Sequence, residues 1–349
     1  MRIVVTGATG NVGTAVVRAL VADPAVDEVV GVARRLPTAP TEGVAFRTAD
    51  MATDDLVPLL NGAQAVIHLA WLFQPTHSPE VTWRANAVGT ERLLRAAAEA
   101  GVAAVVHASS VGAYSPVDDD EPRDESWPTH SLPTAGYGRE KAYAERLLDT
   151  FTAENPDIRT VRLRPAFIFQ RDSATSQRRI FLGPFMPASL IGRRLLPPAL
   201  PLPRGLRLQT LHSDDVADAY RRAVLSDATG AFNVAADPVL DVPALGKVLG
   251  VRAVPVNPRI FRVGLAAAWS AHLVPAEPAL FDLVMGIPVL DTSRARQELG
   301  WTPRWSADDA LGEALAGFAE GAGAPTEPLA PDTVAGRLHE VATGVGSAP

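Results

Sequence analysis

The stretch that decides the fold lies at the start of the chain and reads Ile3-Val4-Val5-Thr6-Gly7-Ala8-Thr9-Gly10-Asn11-Val12-Gly13. Its apolar run predicts a buried strand, and residues 12–21 predict a helix. Glycine permits a tight turn between the two, and its missing side chain lets the backbone approach a ligand. The free amides and positive dipole end of the helix then favour an anion. Three glycines so placed predict a pyrophosphate site; a tight turn without a ligand is the alternative.

Further apolar runs alternate with helical stretches up to residue 165. They predict strands at 29–32, 65–69, 103–107 and 159–163, and helices at about 81–100 and 137–151. Strands that are apolar throughout and separated by helices indicate a parallel sheet covered on both faces. We therefore predict an α/β fold, a doubly wound parallel-sheet Rossmann domain with a smaller C-terminal substrate-binding lobe.

The domain boundaries follow from where this alternation breaks. Residues 166–207 are rich in Pro and Arg, and regular structure resumes near 208 with a helix at 214–225 and a strand at 232–234. We assign residues 1–165 plus about 208–235 to the Rossmann domain, and about 166–207 and 236–320 to the lobe. Residues 321–349 turn to Gly, Ala, Pro and Thr, which predicts a flexible tail.

The composition narrows the functional classes. The chain has 349 residues, of which 47% are hydrophobic, enough for a large core. Its net charge of -7 argues against a nucleic-acid partner. No apolar run is long enough to suggest a membrane span. The chain has no cysteine, its seven histidines are scattered, and its start does not resemble a signal peptide. We therefore expect no disulfide, no metal site, no membrane partner and a cytoplasmic location.

The end of the second predicted strand bears on the choice of cofactor. It reads Gly31-Val32-Ala33-Arg34-Arg35, without the acidic residue that would bind the ribose 2′-hydroxyl of NAD. Arginine instead suits a 2′-phosphate, because its guanidinium is planar and permanently charged. The sequence therefore favours NADP(H) over NAD(H). The alternative is that Arg34 and Arg35 belong to the arginine surplus of a chain in which lysine occurs only at 141 and 247.

A tyrosine and a lysine four residues apart carry the predicted proton chemistry. Tyr137 and Lys141 fall on one face of a predicted helix, so the ammonium group is expected to lower the phenol pKa. Such a phenol can exchange a proton with a substrate oxygen, and Lys141 would also bind the cofactor ribose. Ser110, at a strand end where ligands bind in this architecture, is the candidate for holding the substrate oxygen; Ser109 is the alternative.

Together these residues resemble the extended short-chain dehydrogenase/reductase family, also called the NAD-dependent epimerase/dehydratase family, over about residues 1–320. Further segments match family motifs. They are Asp50, His68-Leu69-Ala70, Asn86-Ala87-Val88-Gly89-Thr90, Ser109 to Tyr114, Arg164-Pro165, His212 to Ala217, and Asp291 to Trp301.

The resemblance implies a catalytic set and a cofactor set. Ser110, Tyr137 and Lys141 match the catalytic residues, and Asp50 matches the residue that contacts adenine. The cofactor set comprises Gly7, Thr9, Gly10, Asn11, Val12, Gly13, Arg34, Arg35, Asp50, Met51, Leu69, Ala70, Asn86, Ala108, Tyr137, Lys141 and Pro165. The resemblance also implies a homodimer through helices 81–100 and 137–151.

Departures from the family pattern narrow the reaction. Sugar dehydratases of the family carry Asp-Glu after the catalytic serine, where this chain has Val111 and Gly112. The Asn and Gly-Asp-Gly features of nucleotide-sugar epimerases are missing at 166–169 and 203–207, and the stretch 180–206 is apolar. We expect an NAD(P)-dependent oxidoreductase that acts on a carbonyl or secondary alcohol of a small, apolar substrate. The alternatives are an NAD-dependent sugar epimerase and a non-catalytic dinucleotide sensor.

Overall fold

The fold is built on a sheet whose inner strands are apolar on both faces. The computed structural model describes residues 1–74, 76–186, 190 and 196–346. The strands are β1 (Arg2–Thr6), β2 (Glu28–Ala33), β3 (Val44–Thr48), β4 (Ala65–His68), β5 (Ala104–Ala108), β6 (Arg159–Pro165), β7 (Phe167–Phe169), β8 (Ala199–Pro203), β9 (Arg207–Leu208), β10 (Thr210–His212), β11 (Gly230–Val234), β12 (Leu240–Asp241) and β13 (Arg252–Val256).

Within the described ranges, seven strands form one parallel sheet in the order β11-β6-β5-β4-β1-β2-β3. β1 lies between β2 and β4, so that Val4 pairs with Val30 on one side and Val66 on the other. The chain therefore changes direction across the sheet at β1, and the carboxyl ends of β1 and β4 border a crevice. Such a switch point is where doubly wound folds bind ligands. The predicted Rossmann fold is confirmed.

Helices cover both faces of this sheet. They are α1 (Asn11–Val21), α2 (Val57–Leu60), α3 (Pro79–Trp83), α4 (Gly89–Glu99), α5 (Gly136–Glu154), α6 (Ala174–Gln177), α7 (Ser213–Leu225), α8 (Val242–Leu249), α9 (Pro258–Ser270), α10 (Pro278–Gly286), α11 (Ser293–Glu298), α12 (Ala307–Glu320) and α13 (Val334–Thr343). Leu20 of α1 and Tyr220 of α7 belong to one core, and Leu93 of α4 and Leu148 of α5 belong to the other. The apolar sheet is thereby shielded from water on each side.

Smaller sheets lie outside the central one. β7 pairs with β10, β9 with β12, and β8 with β13. Trp301 is fully buried and its indole Nε1 donates to the carbonyl of Asp215, 2.8 Å away, which fixes the C-terminal region to the start of α7. None of the helices in the described ranges is long and apolar enough to cross a bilayer.

The helix expected at 81–100 is interrupted. α3 passes into a π-helical turn, Arg84–Val88, before α4 begins. The wider turn places the Asn86 side chain against the chain that follows β4, where it accepts from Leu72 N at 2.7 Å and donates to Leu72 O at 2.8 Å. Hydrogen bonds to a distant segment thus override the regular α-helical period. Such π-turns are frequent at functional positions.

The described part of the tail that starts at residue 321 contains regular structure. A 3₁₀ turn at Glu327–Leu329 and α13 form there. Leu329 is buried, and the Thr326 hydroxyl donates to the carbonyl of Thr9 at 2.9 Å. The Gly, Ala and Pro that suggested disorder instead allow a close-packed turn, because a Cβ on Gly323 would lie 2.3 Å from Leu329 O. Residues 347–349 lie outside the described residues.

Candidate active site

A groove runs along the carboxyl ends of β1, β2 and β4 and spans about 970 Å³, a volume that includes open solvent at its mouth. It is lined by Gly7, Thr9, Gly10, Val32, Ala33, Arg34, Arg35, Ala49, Asp50, Met51, Leu69, Ala70, Trp71, Leu72, Ala85, Asn86, Glu327 and Pro328. The walls are mainly backbone and small apolar side chains, with charged groups at one end. That composition suits a ligand with a phosphate centre and flat rings.

The glycines of the first loop are required by close approach of the backbone. Gly7 has a φ of +70°, and a Cβ there would lie 2.7 Å from Ala70 N. A Cβ on Gly13 would lie 2.1 Å from Gly7 O, so α1 can start this close to the loop only with glycine. Gly10 contacts the groove and has no atom nearer than 3.4 Å to its virtual Cβ. A dinucleotide pyrophosphate fits this cradle, which leaves backbone amides at a helix start.

The structure brings most of the predicted cofactor residues to the groove. Those that line it are Gly7, Thr9, Gly10, Arg34, Arg35, Asp50, Met51, Leu69, Ala70 and Asn86. Asn11, Val12, Gly13, Ala108, Tyr137, Lys141 and Pro165 are not among its lining residues. The Asn11 amide is engaged elsewhere, since its Nδ2 donates to Ile168 O at 3.2 Å and its Oδ1 accepts from Ser213 at 2.8 Å. Asn11 thus ties the loop to β7 and α7.

Ser110 and Tyr137 lie together beyond the other end of the groove. Ser110 is the N-cap of a short turn, and its Oγ accepts from Gly112 N at 3.0 Å. Ser110 Oγ and the Tyr137 ring lie against the same glycine, because a Cβ built on Gly112 would be 3.4 Å from Ser110 Oγ and 3.0 Å from Tyr137 Cε1. Ser109 points elsewhere and donates to a buried carboxylate of Glu145 at 2.5 Å. This geometry supports Ser110 over Ser109 as the partner of the phenol.

The phenol pKa differs from the expectation. Burial raises the pKa of Tyr137 to about 12; the neighbouring Ser110 hydroxyl opposes the rise and the carboxylate of Glu140 adds to it. Lys141, whose Nζ lies 5.9 Å from the centre of the Tyr137 ring, is not among the groups that shift this pKa. Desolvation therefore outweighs any benefit from the neighbouring cation, and the free phenol is protonated near neutral pH.

Lys141 is held by two contacts. Its Nζ donates to the Ala108 carbonyl at 2.7 Å and lies 3.3 Å from the centre of the Trp71 ring. Burial lowers the Lys141 pKa well below its usual value, while Glu140 and Glu145 oppose that shift. The ammonium therefore lies between the strand end and a residue that lines the groove.

Asn86 links the groove to the tyrosine helix. Its Nδ2 donates to Glu140 Oε2 at 2.6 Å, and Thr82 donates to the other carboxylate oxygen at 2.7 Å. Burial raises the pKa of Glu140, and the bonds from Thr82 and Asn86 oppose that rise. Sequence reasoning missed Glu140, although its place between Tyr137 and Lys141 is a usable signal.

A second buried carboxylate fixes the far side of α5. The Glu145 carboxylate accepts from Nε and Nη2 of Arg164, at 2.9 Å and 3.0 Å, and from Nη1 of Arg162 at 2.9 Å. Burial would raise the Glu145 pKa, but the hydrogen bonds and charge of Arg164, with Arg162 and Ser109, lower it to about 2. The Arg-Pro motif thus serves to orient α5 and the strand end that carries Ser110.

Aromatic side chains surround the phenol. Phe73 stacks on Tyr137 with ring centres 4.8 Å apart and planes 12° apart, and Trp71 meets it edge-on at 6.1 Å. Phe181 lies 6.1 Å from Phe73. Trp71 and Phe73 were not predicted, although they follow the matched segment 68–70 directly. The surface next to the reactive group is therefore apolar.

Across the residues that the structure describes, no group of three or more histidine, aspartate or glutamate side chains is placed to hold a metal ion.

Comparison with known proteins gives a family match. The model of the NAD dependent epimerase/dehydratase family matches residues 3–235. An uncharacterized protein of Mycobacterium tuberculosis is 26% identical over 314 residues, which is 89% of this chain and 29% of the relative. This chain therefore spans less than a third of the length of that relative.

Two other similar proteins carry functional names. The Saccharomyces cerevisiae sterol-4-alpha-carboxylate 3-dehydrogenase (decarboxylating) is 24% identical over 318 residues, 80% of this chain and 84% of the relative. The solved structure of MoeE5 in complex with UDP-glucose and NAD superposes with a TM-score of 0.68 at 23% identity, covering 92% of this chain and 99% of that one. The second similarity establishes the fold.

Proposed function

Because this chain belongs to the NAD-dependent epimerase/dehydratase family, we propose that it is an NAD(P)-dependent oxidoreductase acting on a carbonyl or secondary alcohol. The observation that carries the proposal is the close placement of Ser110 and Tyr137 against Gly112, with Lys141 one helical turn further along α5. A proton donor is thereby placed beside the mouth of a groove that suits a dinucleotide.

The roles of the residues follow from their chemistry. A bound nicotinamide dinucleotide would exchange hydride with the substrate carbon. Tyr137 gives a proton to the developing alkoxide, or takes it from the alcohol, at its Oη. Ser110 donates to the same oxygen and holds it within reach. Lys141, now bound to the Ala108 carbonyl, supplies the positive charge that would stabilise a phenolate and bind ribose hydroxyls.

We propose NADP(H) as the favoured form of the cofactor. Arg34 and Arg35 line the end of the groove next to β2, and no acidic residue ends that strand. Two guanidinium groups at this place suit a 2′-phosphate.

We further propose an apolar substrate, bound next to Tyr137. The aromatic cluster of Trp71, Phe73 and Phe181 beside Tyr137 supports this, since flat apolar surface excludes water and suits an alicyclic or aromatic ketone. The name of the yeast relative, a sterol-carboxylate dehydrogenase, agrees with such a substrate.

The experiment that tests the function combines a cofactor assay with a matched pair of variants. The purified protein is given NADPH or NADH with a panel of alicyclic and aromatic ketones, and net oxidation is followed. Tyr137→Phe should lower kcat by roughly 10²- to 10⁴-fold, the range typical of general acid–base catalysis, while dinucleotide binding persists. Tyr143→Phe, on the exposed face of the same helix, should leave kcat unchanged.

Two other outcomes would replace the proposal. Stoichiometric NAD that stays bound through purification, without net turnover of any ketone, would point to an epimerase. Full activity of Tyr137→Phe would remove the catalytic role of the phenol and favour a dinucleotide sensor.

A further inference from the structure

A segment near the end of the chain crosses the charged end of the groove. We call residues 322–330 the C-terminal strap. The Thr326 hydroxyl donates to Thr9 O at 2.9 Å, inside the phosphate loop. The Thr38 amide donates to Pro325 O at 2.9 Å, beyond the end of β2. Glu327 and Pro328 line the groove itself. The strap is therefore part of the groove wall, although it lies far from the loop in sequence.

The strap is a packed turn. Leu329 is buried and Ala324 N donates to Leu329 O at 2.7 Å, closing the turn on itself. A Cβ on Gly323 would lie 2.4 Å from Pro331 N, so the turn has no room for a side chain there. Glu327 is consequently presented from a fixed backbone towards the groove.

Glu327 faces one of the two arginines that suggested a 2′-phosphate. Its carboxylate forms an ion pair with the Arg35 guanidinium, with about half of each side chain exposed. A 2′-phosphate on the adenosine ribose would seek the same guanidinium, because bidentate arginine contacts are typical of both carboxylate and phosphate. The two anions would also repel each other across the rim of the groove.

We propose that Glu327 is a specificity-determining residue that weakens binding of 2′-phosphorylated dinucleotides relative to NAD(H). The carboxylate competes with the 2′-phosphate for Arg35 and so reduces the preference that Arg34 and Arg35 create. The ribose of NAD(H) carries a neutral 2′-hydroxyl, which meets neither competition nor repulsion. This inference rests on the proposed dinucleotide function of the groove.

The test is the affinity of the full-length protein for NADP⁺ and NAD⁺, measured by calorimetry without substrate. Glu327→Gln should tighten NADP⁺ binding by roughly two- to fivefold, the size expected of an exposed charge, and leave NAD⁺ binding nearly unchanged. The gain should shrink as salt is raised, because the interaction is exposed to solvent. In an Arg35→Ala background the same substitution should have a smaller effect.

The matched control is Glu320→Gln. Glu320 also forms an ion pair at about half exposure, with Arg171, and does not line the groove. Glu320→Gln should change the affinity for neither NAD⁺ nor NADP⁺. Equal shifts for NAD⁺ and NADP⁺ on Glu327→Gln, or no shift for NADP⁺, would overturn the inference and leave the proposed function intact. If the wild-type protein binds neither dinucleotide, the inference and the proposed function both fail.

Discussion

The ammonium group of Lys141 lies 3.3 Å from the centre of the Trp71 ring. The distance is well inside the range of a cation–π interaction, and the contact is desolvated because Lys141 is buried. Trp71 also lines the groove, so one residue contacts both the predicted ligand site and the predicted catalytic lysine.

Ligand binding should therefore change the emission of Trp71. The chain has six tryptophans. We expect NAD⁺ to alter the intrinsic fluorescence of the wild-type protein and Trp71→Phe to lose most of that change. Trp83→Phe, which lies on α3 against Tyr143, should retain it. A full fluorescence response in Trp71→Phe would contradict the placement of Trp71 at the ligand site.

The raised pKa of Tyr137 predicts opposite pH profiles for the two reaction directions. Burial raises this pKa to about 12, so the free enzyme carries a phenol at neutral pH. Ketone reduction uses the phenol as proton donor, and its kcat/KM should be flat between about pH 6 and 9. Alcohol oxidation needs the phenolate, whose fraction rises about tenfold per pH unit below the pKa, so its kcat/KM should rise likewise. A plateau of the oxidation rate below pH 8 would show that Lys141 lowers the pKa after all.

Gly13→Ala should abolish dinucleotide binding at micromolar cofactor. The added Cβ would lie 2.1 Å from Gly7 O, a backbone atom, so the loop must move away from α1. Gly264→Ala, inside α9, adds a Cβ with no atom within 4 Å and should raise the melting temperature, since alanine favours a helix by about 1 kcal/mol. Calorimetry with NAD⁺ and thermal unfolding measure both. Unchanged affinity in Gly13→Ala would refute the close-packed cradle.

The buried pair of Glu145 and Arg164 predicts a loss of stability in acid. The folded pKa of Glu145, about 2, lies below its usual value of 4.5. The stabilisation is therefore complete above pH 4.5 and is lost as the pH falls towards 2, on the order of 3 kcal/mol in total. Glu145→Gln should destabilise the fold at pH 7 by about 3–5 kcal/mol, because Arg164 is left buried without its partner.

In urea unfolding, the difference in unfolding free energy between the wild type and Glu145→Gln should decrease between pH 4.5 and 2. Glu91→Gln serves as control, since Glu91 is half-exposed and pairs only at the surface with Arg95. Its stability should follow the wild-type pH dependence within about 0.5 kcal/mol. If this difference in unfolding free energy stays constant down to pH 2, the Glu145 carboxylate is not held ionised in the folded protein.

The parallel sheet could be predicted because its inner strands are apolar on both faces, a pattern that needs no knowledge of neighbours. β3 could not, since Arg47 and Thr48 are exposed and the strand is defined only by pairing with β2. The π-turn at 84–88 depends on a bond between Asn86 and a distant backbone segment. The periodicity of a segment does not indicate such contacts with distant residues.

The two halves of the site differ in the same way. The glycine loop and the Tyr137/Lys141 spacing are local patterns with a chemical meaning of their own. The pKa of Tyr137 depends instead on how far folding removes it from water. The contact of Glu327 with the groove could not be predicted, because Glu327 pairs with Arg35 across 292 positions of sequence. It also lies in a stretch whose composition is typical of disorder.

The bond between Thr326 and Thr9 joins residues 317 positions apart. During synthesis the phosphate loop leaves the ribosome about three hundred residues before the strap that borders it. β1, α1 and β2 can associate on the nascent chain, but the rim of the groove must wait for the strap. A ribosome-bound chain stalled before residue 322 would thus carry a groove that lacks Glu327 and the wall that the strap provides.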